Sequence, residues 1–366
     1  MIAIFTETIH KNGGGSQVAA INYAIGLKKL GMEPVIFTIE TSYAKEELTK
    51  HRLSACLLKP FVLPILTIDL IHAINFLKRN HPKLIMLNES FSTYWVGLIC
   101  GKIFKIPTFA YFHTFYFRNR ETKIQLVNRV FKKIVMLYLR ICFKPINYFS
   151  VPSKTAAIFL TTELSIPITK IQISPYPVLS EVNAKPTHIS DNKQHLKLLY
   201  VGRIVKGKNI DLLVKALSYV PTDDWELTIV GSGNFKGDIT RIVKDSHIKY
   251  RVEMVDFLPR ETLLDEYNKY DAFISFSDME TLGFTYIEAL NTGLPIICLK
   301  YSTTEELFTN FENVYFIESK DPKSMATQLS GIIDQIKLGI PTQTRRSFLE
   351  QYTYVSAAQR LISRWF

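Results

Sequence analysis

The sequence predicts an α/β protein of two tandem domains, each a parallel sheet wrapped by helices, facing each other across a cleft. Three observations predict this. Short β-branched apolar runs alternate with longer amphipathic stretches along all 366 residues. The alternation pauses once, near the middle. Glycine-rich or charged motifs follow the ends of several apolar runs, where ligands bind in open parallel sheets.

In the first half, Ile2–Thr6, Pro34–Ile39, Leu84–Leu87, Pro107–Phe112, Asn147–Val151 and Ile171–Ser174 read as strands. In the second half, Leu196–Val201, Trp225–Val230, Val252–Val255, Ala272–Phe276, Pro295–Leu299 and Val314–Ile317 do so. Helical patterns fill the gaps. The pause, Leu179–Gln194, is polar, contains Pro186 and lacks periodicity. The expected organisation is a first domain over 1–178, a linker over 179–195, a second domain over 196–343 and a closing helical stretch, Thr344–Phe366, whose Trp365 and Phe366 need burial.

Composition narrows the class. Hydrophobic residues make up 47% and charged residues 21%, which is globular. Mean hydropathy is +0.08, which argues against a multi-span membrane protein. The longest apolar stretch, Phe61–Leu77, contains Pro64, Asp69 and His72, whereas a span needs about 20 clean apolar residues. The chain starts on a strand-like run with no signal-peptide pattern. Cys56, Cys100, Cys142 and Cys298 are scattered and fit neither a disulfide framework nor a zinc site, so a reducing compartment is expected.

Six stretches carry candidate chemistry. Gly13-Gly14-Gly15-Ser16 precedes the helix Gln17–Leu30; glycines permit close approach to a ligand, and helix N-termini favour anions. Val18 stands where a dinucleotide fingerprint wants its third glycine, and a plain turn with Ser16 as N-cap is the alternative. His113 ends a strand and could bond a sugar hydroxyl or be structural. Gly202-Arg203 with Lys208 brackets a strand-to-helix turn with two cations, a planar fork and a mobile point charge, which suits a diphosphate, with a solvated basic turn as the alternative. Gly231-Ser232-Gly233 repeats the glycine pattern, with a tight turn as the alternative. Ser277–Leu290 is the most informative: Glu280 lies in a loop, a helix starts near Gly283, and Glu288 follows in its first turns. The amides at the helix start could meet an anion, and a buried Glu288 needs a partner such as a ribose diol; an ordinary amphipathic helix with a capping acid is the alternative. Gly293 ends that helix as a C-cap.

The sixth is a basic window. Lys102–Lys144 holds ten Lys/Arg against one acidic residue, Glu121, and the whole chain carries +11. Thr122–Lys144 has helical periodicity, with Arg129, Lys132, Lys133 and Arg140 interleaved with Phe131, Ile134, Val135, Tyr138 and Leu139. Arg118 and Arg120 flank it. Such a helix could lie on an anionic membrane, or pack as a core helix with a solvated basic face.

Together, Gly202-Arg203 with Lys208, Glu280 with Glu288, Ala289 and Gly293-Leu294-Pro295 resemble the signature of the retaining glycosyltransferases of family 4, which have the GT-B fold of two Rossmann-like domains. The glycine loop, His113 and Ser153 also fall where that family places theirs. The resemblance implies that Arg203 and Lys208 hold the donor diphosphate and Glu288 the ribose. Glu280, Gly283 and Phe284 would hold the sugar, His113 would contact it, and Gly14 and Gly15 would approach phosphate or acceptor. It implies no metal or other cofactor, and a terminal helix that crosses back to the first domain. Thr281, Asn209 and Asn147 depart from the family's common residues but remove no proposed catalytic group.

The expected function is therefore hexosyl transfer with retention from a nucleotide sugar, UDP favoured over GDP. The acceptor would be a lipid-linked or glycan molecule of bacterial capsule or lipopolysaccharide type. The expected location is cytoplasmic, peripheral on an anionic plasma-membrane face. A glycolipid synthase is the alternative within the class. An NAD-dependent oxidoreductase lacks its third glycine. A nucleic-acid partner is not expected, because no reader motif accompanies the charge.

Overall fold

The computed structural model describes residues 1–7, 9, 15–39, 41–58, 68–88, 92–113, 125–183, 193–256, 258, 260–278, 280–339 and 345–365. Contacts divide the chain into two compact units. Unit 1 holds the described residues up to 113, those in 125–181 and 350–365; unit 2 holds those from 182 to 349.

Unit 1 runs β1 (Ile2–Phe5), α1 (Gly15–Lys29), β2 (Pro34–Ile39), α2 (Ser42–Lys50), β3 (Ser54–Leu58), α3 (Ile68–Asn80), β4 (Leu84–Leu87), α4 (Ser92–Phe104), β5 (Thr108–Tyr111), α5 (Gln125–Phe143), β6 (Tyr148–Val151), α6 (Lys154–Leu164) and β7 (Ile171–Ile173). Its seven-stranded sheet has the order β3-β2-β1-β4-β5-β6-β7, with every pairing parallel. The inner strands β1, β4 and β5 are buried at every residue, because helices cover both faces. The edge strand β3 was not expected from the sequence: its Ser-Ala-Cys opening is short, small and partly exposed.

Unit 2 runs β8 (Leu196–Val201), α7 (Ile210–Leu217), β9 (Trp225–Val230), α8 (Lys236–Lys244), β10 (Val252–Val255), α9 (Arg260–Tyr267), β11 (Ala272–Ser275), α10 (Phe284–Asn291), β12 (Ile296–Leu299), α11 (Ser302–Phe308), β13 (Val314–Ile317), α12 (Pro322–Lys337) and α13 (Arg346–Glu350). Its six-stranded parallel sheet has the order β10-β9-β8-β11-β12-β13. The core joins sheet residues such as Tyr200, Trp225 and Ile274 to Leu213 and Val214 of α7 and Leu329 and Ile333 of α12. Each fully buried side chain of this size contributes roughly 1.5–3 kcal/mol.

The last helix, α14 (Tyr354–Ile362), belongs to unit 1. It packs on α1 at Gly26, where an added Cβ would lie 2.0 Å from the Tyr354 carbonyl oxygen. Trp365 packs edge-on against Tyr148, with ring centroids 5.0 Å apart; Phe366 lies outside the described residues. Leu179 is buried, bridges to Thr353 and donates its amide to the Tyr352 carbonyl at 3.0 Å, so it belongs to unit 1 and not to a linker. The part of the expected linker at 184–192 lies outside the described residues. The expected closing stretch at 344–366 resolves into α13 and α14, and the portion in unit 1 starts at Glu350.

Candidate active site

Strand order reverses between β8 and β11 in unit 2. Loops leaving the carboxyl ends of those two strands diverge and leave a crevice, the usual ligand position in such sheets. The motifs emerge there. Gly202 and Arg203 follow β8, a 3-10 turn spans Lys206–Lys208, and Ser277 to Glu280 follow β11. Lys208 Nζ donates to Glu280 Oε1, and both side chains are mostly buried. Burial alone would raise the Glu280 carboxyl; the Lys208 ammonium beside it and the nearby Arg203 outweigh burial and hold it below the ordinary value. Glu280 is therefore an anion held by cations.

Asn209 sets this geometry. It takes the left-handed conformation with φ 53°, which Asn tolerates better than most residues. Its side-chain amide donates to the Phe276 carbonyl at 2.9 Å. That bond ties the Lys208 turn to the strand end that carries Glu280.

Three tyrosines surround Glu280. The Tyr301 hydroxyl accepts from the Glu280 amide at 3.2 Å. Tyr200 donates to the Arg203 carbonyl at 3.3 Å. Burial first, and then the Glu280 charge, push the Tyr200 and Tyr301 phenols up; Tyr286 is raised chiefly by burial. All three are neutral groups that shape the site. Sequence reasoning missed them because they reach it from a strand interior, a helix and the loop after β12.

The helix α10 starts at Phe284, with Gly283 before it at φ 78°. A Cβ there would meet Tyr286 at 2.3 Å, so glycine is required by both conformation and space. Glu288 is buried, and Tyr267 donates to its Oε2 at 3.2 Å. The structure thus brings Lys208, Glu280 and Arg203 together and sets Glu288 on the neighbouring helix against Tyr267.

Gly231 has a packing role. A Cβ on it would lie 1.9 Å from the Gly202 carbonyl oxygen, and one on Gly233 would lie 2.2 Å from that of Ile204. Ile204 also donates its amide to Ser232 at 2.8 Å. The two glycine motifs are stacked backbone on backbone, which fixes the turn carrying Arg203.

Unit 1 has its own reversal, between β1 and β4. His113 follows β5, and its Nε2 lies 2.8 Å from Asn88 Oδ1. Asn88 follows β4 and donates to the Ser16 carbonyl at 2.7 Å. His113 also packs on Tyr176, with ring centroids 4.9 Å apart. Asn88 therefore links the strand end bearing His113 to the start of α1, a connection across 72 residues that no local pattern signals. Ser16 is not the N-cap: α1 already begins at Gly15, and Ser16 lies inside it. Gly13 and Gly14 lie outside the described residues, as do Arg118 and Arg120. Arg129 lies in α5, where its side chain is not described, and Lys132 and Lys133 are exposed on that helix. Ser153 caps α6, accepting from the Ala156 amide at 3.2 Å. A cavity of about 280 Å3 lined by Lys102, Lys105, Pro107 and Asn147 lies at the opposite, amino-terminal edge of this sheet, apart from these motifs.

Two family models match, one per half. Residues 13–178 match Glycosyltransferase Family 4, and residues 184–340 match Glycosyl transferases group 1. The chain is a GT-B glycosyltransferase. This glycosyltransferase is 25% identical over 333 residues to the alpha-monoglucosyldiacylglycerol synthase of Acholeplasma laidlawii, covering 84% of this chain and 82% of that one. It is 24% identical over 250 residues to the N-acetylgalactosamine-N,N'-diacetylbacillosaminyl-diphospho-undecaprenol 4-alpha-N-acetylgalactosaminyltransferase of Campylobacter jejuni, covering 61% and 67%. An uncharacterized glycosyltransferase of Methanocaldococcus jannaschii matches at 21%, and the chain covers 43% of its length. In fold, the enzyme is similar to Anabaena Alr3699/HepE solved in complex with UDP-glucose, with TM-score 0.79, 15% identity and coverage of 100% and 99%.

Burial lowers the His113 imidazole of this glycosyltransferase from 6.5 to about 3. The folded enzyme keeps it neutral where the unfolded chain takes up a proton, so stability falls as pH drops from 6.5 toward 3. Urea titrations are expected to show this loss, and His113→Gln to flatten the profile through that window. Equal slopes for both proteins would rule the assignment out.

Proposed function

We propose that the enzyme transfers a hexosyl unit with retention from a nucleotide sugar, UDP in preference to GDP, to a membrane-associated, lipid-linked glycan acceptor on the cytoplasmic membrane face in cell-surface polysaccharide synthesis. No metal takes part in this reading. One observation carries it: the Lys208–Glu280 pair with Arg203 beside it, at the strand-order reversal of unit 2.

Each group has a role suited to its chemistry. The donor pyrophosphate carries two negative charges near the bond that breaks. Lys208 and Arg203 neutralise them, and more so as the nucleoside diphosphate leaves. Glu280 orients Lys208 and accepts from donor-sugar hydroxyls. Amides at Gly283 and Phe284, at a helix start, meet phosphate or sugar oxygen. Glu288, kept company by Tyr267, accepts from the ribose hydroxyls. His113, neutral, bonds a sugar hydroxyl without adding charge. Attack comes on the face from which the diphosphate leaves, and the leaving phosphate oxygen takes the acceptor proton. That route gives retention without a covalent enzyme intermediate.

A glycolipid-synthase role is a second reading, favoured by the likeness to the Acholeplasma synthase over most of both chains. Its acceptor would be diacylglycerol or a glycosylated form of it.

A thermal-shift screen of UDP- and GDP-sugars tests the donor. A ligand at a hundred times its Kd adds about 2.7 kcal/mol to apparent stability. A UDP-sugar is expected to raise Tm by several degrees, in EDTA as well as without it, and Lys208→Ala to abolish the shift. A larger shift with NAD than with any nucleotide sugar would defeat the proposal.

A further inference from the structure

The outward face of α5 holds large apolar residues that the protein does not bury. Ile134, Leu137 and Ile141 are 57–60% exposed, and Phe131 and Tyr138 are 37% exposed. At 100° per residue all five fall within one stripe about 120° wide. The opposite face, with Met136, Leu139 and Phe143, is buried against unit 1. The helix therefore carries two apolar stripes, of which the core uses one.

Charge says what covers the other. α5 contains no Asp or Glu. Lys133, Arg140 and Lys144 are all exposed and lie along one flank of the stripe. On the other flank, Trp95 of α4 donates its indole N–H to the Tyr138 hydroxyl at 3.2 Å. An apolar ridge with cations on one side and a Trp–Tyr pair on the other matches a bilayer interface: acyl chains below, anionic headgroups beside, aromatic rings at the boundary. A second copy of the chain would bring the same cations together, which disfavours it.

We infer that α5 lies in the surface of an anionic bilayer, with Phe131, Ile134, Leu137, Tyr138 and Ile141 buried among the acyl chains. The orientation suits catalysis. β5 ends at the His113 edge and α5 returns toward the start of β6, so the N-terminal end of the helix lies at the His113 edge of the sheet. A bilayer along α5 thus reaches the edge where a lipid-linked acceptor would be met. This inference rests on the membrane-acceptor reading above.

Cosedimentation with vesicles of equal parts phosphatidylglycerol and phosphatidylcholine tests it, alongside pure phosphatidylcholine vesicles. Wild type is expected to bind the anionic vesicles only. Ile134→Ser with Leu137→Ser is expected to weaken binding more than tenfold while leaving Tm and the UDP-sugar thermal shift unchanged. Each of Lys133→Gln, Arg140→Gln and Lys144→Gln is expected to weaken binding about fivefold. Undiminished binding by the double variant would overturn the inference, as would equal binding to neutral vesicles. A wild-type dimer in sedimentation velocity that the double variant converts to monomer would overturn it too, and assign the stripe to a second copy. The UDP-sugar shift is read separately, so loss of vesicle binding with that shift intact refutes the docking face and leaves the transferase reading standing.

Discussion

Glu280→Gln is expected to fold normally and to lose about 10²–10³-fold in transfer rate. The carboxylate pairs with Lys208 while the backbone amide of the same residue donates to the Tyr301 hydroxyl, so Gln keeps the shape and the loop anchor but neither orients the ammonium nor accepts as strongly. Lys208→Ala is expected to be worse in two ways. It removes the cation assigned to the diphosphate, and it leaves a mostly buried carboxylate without its main counter-charge. A fully buried pair broken this way costs 3–5 kcal/mol, and partial exposure of this one reduces that to about 2 kcal/mol. Lys208→Met combined with Glu280→Gln is expected to recover most of that stability and none of the activity. A double-mutant cycle read by urea denaturation and radiolabelled sugar transfer separates the two effects. If the double variant were as unstable as Lys208→Ala, the pair would not be what holds this loop. The pair also has an acid limit. Because the folded carboxyl lies below 4.5, the unfolded chain protonates first, and stability from this group declines as pH falls beneath that value.

The second large effect concerns a residue far from any proton transfer. Gly231→Ala is expected to cost at least 3 kcal/mol and to unfold unit 2 near physiological temperature. The new methyl would lie 1.9 Å from a backbone oxygen, which no rotamer change can relieve, and the residue's φ of 151° is one that side chains rarely adopt. Ala at Gly237, where nothing lies within 4 Å of an added Cβ, is the matched control and is expected to be neutral or slightly stabilising. Thermal melts of the two variants settle the point; a Gly231→Ala protein melting with wild type would mean that the stacked turns separate easily.

Unit 2 was the more legible half. Its six strands fall within one residue of the expected runs, because they are β-branched, apolar and buried on both faces. Composition could not reveal β3, an edge strand whose exposed residues need not be apolar. The helical reading of α5 was correct, but periodicity could not say which of two apolar stripes faces inward. Phe131, Ile134 and Tyr138 look like core in the sequence and lie outside. The cations and carboxylates of the site were visible as motifs. Their supports were not: Asn88, Tyr267 and Tyr301 act through contacts 21 to 72 residues away, and an isolated Asn or Tyr carries no local mark of that use.

The seating of α14 on α1 has a consequence for biosynthesis. Residues 350–365 complete unit 1, yet the ribosome makes them after all of unit 2. Until they emerge, the groove beside Gly26 faces water and the edge of Leu179 that pairs with Thr353 stays open. Unit 2, contiguous among the described residues, can fold on the ribosome while unit 1 waits half-built, so a stalled or truncated chain would present a finished unit 2 attached to a sticky, unclosed unit 1.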